Sequence, residues 1–168
     1  MGKCRMDEKK IRFEGIIDVG PIVISHTKNP IQDEALEFMR NVLTLKIRCL
    51  MPVSVFLGAY LVMVKYLRVD RNSASTALIR TLSLNLPIFY EDIPKSIAIE
   101  SLKTAGSLGI SSWDAYLAQL AKSLGIKIIY TLNPRDFENI PWLEPRLPVS
   151  KESLMKYHEW VKLRSKVK

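Results

Sequence analysis

Three aspartates, far apart in the chain, each stand where a strand or a helix could deliver them to one place. Asp18 closes the short apolar run Gly15-Ile16-Ile17. Asp114 follows Ser111 by three residues in SSWDAYLAQL, at the front of a helical pattern. Asp136 lies in NPRDF, directly after the apolar run ending in Tyr130-Thr131. Thr131 and Asn133 crowd the same strand end. A charge at the end of a buried strand needs partners, because burial without them is costly. Two carboxylates about 4 Å apart repel by about 4 kcal/mol at an effective dielectric near ~20. Either one of them takes up a proton or a cation sits between them. A hard cation such as Mg²⁺ or Mn²⁺ takes a few carboxylate oxygens and keeps several waters. Bound there, it activates water and stabilises charge on a phosphodiester oxygen. Simpler roles exist for two of the acids. Asp114 after Ser111 matches a helix start, and Asp136 after Asn-Pro suits a turn or cap.

Those acids need elements to carry them. The run EGIIDVGPIVIS opens with a strand that Gly20-Pro21 is expected to break. Residues 31–48 read as a helix with Leu36, Met39, Val42 and Leu43 on one face. The apolar stretch from Val55 to Leu67 reads as a buried helix, and a further helix capped by Asp70 or Asn72 follows it. Residues 86–90 suggest a short strand, and Pro94 to Gly109 another helix. Trp113, Leu117, Leu120, Ala121 and Leu124 then make a strong apolar stripe, ended by Gly125. Residues 126–131 form the next strand, 147–150 suggest an edge strand, and a basic helix closes the chain. Short strands that are apolar on both faces and separated by helices imply a parallel sheet covered on both sides. The expected fold is therefore α/β, a three-layer α/β/α arrangement around a mostly parallel sheet of four to five strands. Sites in such sheets form at the carboxyl ends of the strands. That is where Asp18, Thr131, Asn133 and Asp136 fall, and the first turn of the helix carrying Asp114 can face the same crevice.

Length and composition agree with one domain. The chain has 168 residues, 48% hydrophobic and 25% charged, enough for a real core. The domain is expected over 14–150, preceded by a polar leader at 1–13 and followed by the basic helix at 151–168. The net charge of +8 favours an anionic partner such as nucleic acid, and together with the acids it points to nucleic-acid hydrolysis. Cys4 and Cys49 form no Cys-x-x-Cys motif and read as reduced thiols of a cytoplasmic protein. No signal peptide or membrane span is expected, since the longest uncharged run, 49–64, is short and broken by Pro52. His26 and His158 lack metal-ligand spacing and read as structural. There is no Gly-x-Ser-x-Gly elbow and no glycine-rich phosphate loop.

IIDVGPIVI together with SSWDAYLAQLAKSLGIKIIYTLNPRDF resembles the PIN domain family, the fold of VapC-type toxins and other metal-dependent ribonucleases. The resemblance covers roughly 14–150. Its specific part is an Asp opening an alanine-rich helix, a Leu-Gly turn, an apolar strand and then Thr-x-Asn-x-x-Asp-Phe. The flavour of that segment is similar to archaeal members. The resemblance implies an endoribonuclease using Mg²⁺ or Mn²⁺, with Asp18, Asp114 and Asp136 as metal-binding, catalytic acids and Thr131 and Asn133 lining the site. It also implies RNA as substrate, and it opens the prospect of an antitoxin partner and a homodimer. The sequence departs from the family where a Glu is usual, in the helix after the second strand. Gly58 stands there, and no Asp or Glu occurs from 38 to 69. Glu34 or Glu37 is the nearest candidate substitute. The departure implies an alternative, a degenerate PIN module that binds RNA or a protein without cutting.

Overall fold

The computed structural model describes residues 11–166. Residues 1–10, which hold Cys4 and most of the leader's basic residues, lie outside the described residues. β1 (Gly15–Ile17) leads into α1 (Val19–His26) and α2 (Gln32–Leu43). β2 (Cys49–Pro52) is followed by α3 (Ser54–Leu61), a π-helical turn (Val62–Tyr66) and α4 (Arg71–Leu82). After β3 (Phe89–Tyr90) come α5 (Lys95–Leu108), α6 (Ser112–Ser123) and β4 (Ile128–Tyr130). A 3-10 turn (Pro134–Phe137), β5 (Glu144–Arg146) and α7 (Lys151–Lys166) complete the chain.

The five strands form one sheet in the order β3-β2-β1-β4-β5. Every neighbouring pair is parallel, with Ile17 opposite Tyr130 and Gly15 opposite Cys49. The chain moves outward from β1 to β2 to β3, then returns across the sheet to β4. Right-handed crossovers put α1–α4 on one face and α5 and α6 on the other. The packing agrees: α1 lies against α2, α3 and α4, while α5 lies against α6. This is the expected three-layer α/β/α fold. The direction of the connections reverses between β1 and β4, so the crevice at a topological switch point opens at their carboxyl ends.

Several boundaries differ from the sequence reading, for local reasons. Gly20-Pro21 does not end a strand in a turn; both lie in the first turn of α1, where a missing N–H costs nothing. The helix expected over 31–48 stops at Leu43, and Leu45 takes a left-handed φ of 60° before β2 begins. β2 itself lies at the front of the apolar run, where Pro52 ends it and Ser54 opens α3. The edge strand lies at 144–146 rather than 147–150, paired through the register of Ile129 with Pro145. Proline is tolerated there because β5 is a sheet edge.

The main core joins Ile16, Ile17 and Met51 from the sheet to Val55, Phe56, Leu117 and Leu120 from the helices. A second cluster packs Tyr157 of α7 against Ile24, Ile31, Ala35, Leu132 and Val149. Cys49 is a free, buried thiol whose pKa is pushed up to about 12, chiefly by burial. No helix among the described residues is long and apolar enough to cross a membrane.

Candidate active site

Asp18 sits at the junction of β1 and α1. Its backbone N–H donates to the Tyr130 carbonyl at 3.0 Å, continuing the β1–β4 ladder by one rung. Its side chain caps α1 by accepting from the Val19 N–H at 2.6 Å. Its other oxygen accepts from the Thr131 hydroxyl at 2.8 Å. Thr131 is fully buried, and its oxygen in turn accepts from the Asn133 N–H at 3.0 Å. The end of β4 therefore fixes the Asp18 carboxyl through a chain of two hydrogen bonds.

Asp114 occupies the first turn of α6. Ser111 caps that helix by accepting from the Asp114 N–H at 3.0 Å, and the Ser111 hydroxyl donates to the Asp114 carboxylate at 2.6 Å. The helix-start pattern that the sequence allowed is present, with Ser111 as the cap and Asp114 as the acid in the first turn. Asp136 lies in the 3-10 turn, exposed, with its backbone N–H donating to the Asn133 carbonyl.

Asp18, Asp114, Asn133 and Asp136 all line a single cavity of about 550 Å³. Thr131 stands behind it. The acids feel one another. Burial above all, then the charges of Asp114 and Asp136, push the Asp18 carboxyl up to about 6, against the opposing pull of its two hydrogen bonds. Burial and the charge of Asp136 also raise Asp114, while its bond from Ser111 lowers it. Most of the remaining cavity wall is apolar, with Val19, Val23, Leu61, Val62, Trp113 and Leu132. The indole N–H of Trp113 is buried and meets no acceptor. A buried N–H without a partner is uncommon in a folded chain.

Gly58 lines the same cavity. A Cβ there would come within 2.8 Å of the Val19 methyl Cγ2, so Val19 occupies the space of a side chain at 58. Neither Glu34 nor Glu37 lines the cavity. Glu34 is engaged elsewhere, accepting from the Ser150 N–H and hydroxyl at the start of α7. Carboxylate, amide and hydroxyl oxygens suit Mg²⁺ or Mn²⁺ in chemical type. In arrangement the fit is incomplete. Among the described residues no three His, Cys, Asp or Glu side chains are gathered closely enough to hold an ion.

The two histidines part company. His26 packs as the sequence suggested, with its ring nitrogens 2.7 Å from the Ile22 carbonyl and the Thr81 hydroxyl. His158 does not. It is exposed on α7 and lines the acid cavity beside Tyr157. Sequence reasoning missed both α7 residues and Trp113 as wall residues. Trp113 had a signal, its place directly before Asp114. The α7 pair had none, because which face of a basic helix docks is decided by partners far off in the chain.

No protein-family model matches the sequence, and no curated protein matches it significantly. Solved structures do match. The toxin VapC20 of Mycobacterium tuberculosis, described as cleaving the sarcin-ricin loop, superposes with a TM-score of 0.55 at 13% identity, covering 70% of this chain and 88% of its own. A toxin–antitoxin complex from Klebsiella pneumoniae gives 0.52 at 17% identity, over 81% and 98% of the two chains. FitAcB from Neisseria gonorrhoeae gives 0.53 at 17% identity, over 80% and 97%. The chain thus carries the PIN/VapC-type fold.

Proposed function

We propose that the chain is a PIN-type, metal-dependent endoribonuclease, with RNA as substrate and a VapC-like toxin role. One observation carries the reading. Three acids from distant parts of the sequence line one cavity at the switch point of the sheet, where Asp18 is held against the cost of burial and of two like charges. A fold under no other demand would place neutral residues there.

In that reading Asp18, Asp114 and Asp136 would hold Mg²⁺ or Mn²⁺ only once drawn closer together than they stand here, and the ion would supply Lewis acidity toward a phosphodiester and lower the pKa of water. The chain's own residues do the positioning. Thr131 and the α1 N-terminus orient Asp18, Ser111 orients Asp114, and Asn133 presents an amide beside Asp136. The apolar wall limits water at the reacting phosphate, which strengthens each electrostatic contact. An antitoxin partner, a homodimer and a cytoplasmic location belong to the same proposal. The VapC-like neighbours support the antitoxin. Leu57, Leu61, Ile93 and Leu102, more than half exposed, offer apolar surface for a protein contact.

A second reading has a specific observation behind it. Val19 packs into the space above Gly58, and no three acids converge on one point. Both features suit a degenerate module that binds RNA or protein without cutting. Titrating Mn²⁺ against a labelled RNA separates the two. The nuclease reading expects metal-dependent cleavage that falls at least 100-fold in Asp18→Asn. Equal products from wild type and Asp18→Asn at every metal concentration would leave the binding module in place.

A further inference from the structure

A second cavity, of about 460 Å³, adjoins the first and shares Leu132, Asn133, Asp136 and His158 with it. Its own walls add Pro134, Arg135 and Leu154. It lies between the 3-10 turn and α7, so a strand of substrate leaving the acids by this route would pass under the helix. The volume falls within the range of about 300–1,000 Å³ in which small ligands and nucleotides are held.

The charges of the two cavities differ. The first is lined by three acids, Asn133, His158 and mainly apolar groups, and by no Lys or Arg. The second is lined by Arg135, next to Asp136 in the chain. Arg135 is exposed and takes part in none of the ion pairs found among the described residues, although it neighbours Asp136 in sequence. A planar fork of donors beside the acids matches a phosphate, bidentately. His158 presents an exposed ring on the same wall, a surface on which a base can stack. Leu154 gives the wall an apolar floor. On α7 the residues sharing this face are Lys151, Leu154, His158 and Lys162, at helical spacing, and both lysines are exposed. They lie about 16 Å apart along the axis, so cations stand at both ends of the track.

We infer that this second cavity is a nucleotide subsite for single-stranded RNA, in which Arg135 binds the phosphate next to the scissile one and His158 stacks on its base. The inference rests on RNA being the substrate and deepens that reading by naming where the neighbouring nucleotide sits. A folded duplex would not enter, because its bases are not free to stack on the His158 ring.

The experiment measures binding of a labelled single-stranded hexanucleotide RNA in EDTA, where metal-dependent cleavage is off, across a range of salt. Arg135→Ala is expected to weaken binding about tenfold. It should also lower the slope of log affinity against log salt by about 0.7, one phosphate contact's share. His158→Ala is expected to weaken binding about fivefold with the salt slope unchanged. Lys127→Ala, which removes an exposed charge just before β4 at the opposite edge of the sheet, should stay within twofold of wild type. The subsite is overturned if Arg135→Ala and His158→Ala bind like wild type, or if Lys127→Ala weakens binding as much as Arg135→Ala. Parallel cleavage assays in Mn²⁺ separate the two claims. Binding lost in the variants with no cleavage by wild type upholds the subsite and removes the nuclease. Cleavage by wild type with unaltered binding in the variants removes only the subsite. A wild type that binds no RNA removes both.

Discussion

At Asp18 the chain sets a carboxyl between a burying environment and two other acids, and holds it with the Val19 N–H and the Thr131 hydroxyl. Because its pKa rises to about 6, the folded state binds this proton more tightly than the unfolded chain does. Between the ordinary carboxylate range and about pH 6, the native protein holds a proton that the unfolded one has lost. Stability from this group therefore falls as pH rises through that window, and the full cost, on the order of 2–3 kcal/mol, is present above it. In metal-free buffer, urea unfolding should show Asp18→Asn gaining on wild type by that amount between pH 4 and pH 7.5. A constant difference across the range would mean that Asp18 is not strained as an anion. Asp18 was legible in the sequence because an acid ending an apolar strand has few innocent explanations. Asp114 and Asp136 were legible only as members of a set, since a helix start and a turn account for either alone. His158 was not legible: its chemistry comes from the face that α7 turns inward, and local pattern does not encode that.

Helices with clear stripes and caps were readable at the level of elements. α4 begins at the cap Asp70, whose carboxylate accepts from the Ser73 N–H at 2.9 Å, and α5 ends at Gly109 with a left-handed φ of 65°. The β2–α3 boundary was hard to read, because apart from Ser54 both elements are largely apolar and no period separates them. The contact between α1 and α3 at Val19 and Gly58 carries its own prediction. Ala in place of Gly within a helix gains up to about 1 kcal/mol, but overpacking a filled site costs about 1–3 kcal/mol. Gly58→Ala should therefore lower stability by about 1 kcal/mol in the wild type. In a Val19→Ala background, where the methyl is gone, the same change should raise it. Chemical denaturation of the four proteins measures the coupling, and a stabilising Gly58→Ala in the wild type would show that Val19 yields freely.

For the molecule as a whole, the sheet order places the reversal of connection between β1 and β4, and all three acids gather at that one opening. The parallel fold could be argued from short, doubly apolar strands. The order of the strands could not, because handedness alone leaves several orders open until tertiary packing chooses one. The chain's net charge is +8 while three acids line its cavity, so attraction of a polyanion has to come from outside the cavity and be sensitive to screening. Raising salt from about 50 to about 200 mM should weaken RNA binding at least tenfold. Affinity that holds steady over that range would argue for contacts to bases or for a protein partner.

Glu34 ties the start of α7 to α2 through both polar groups of Ser150, and Tyr157 presses the same helix onto Ile24, Ile31 and Ala35. The outer wall of the cavity is thus moored to the helical layer of α1 and α2, whereas Thr131 and Asp136 belong to the end of β4 and the turn after it. Leu132, directly after Thr131, packs into that same cluster, and Asp18 is both the cap of α1 and the partner of Thr131. Both sides of the opening are therefore tied together, and any change in its width would have to disturb the packing around Tyr157 as well as the bonds of Glu34.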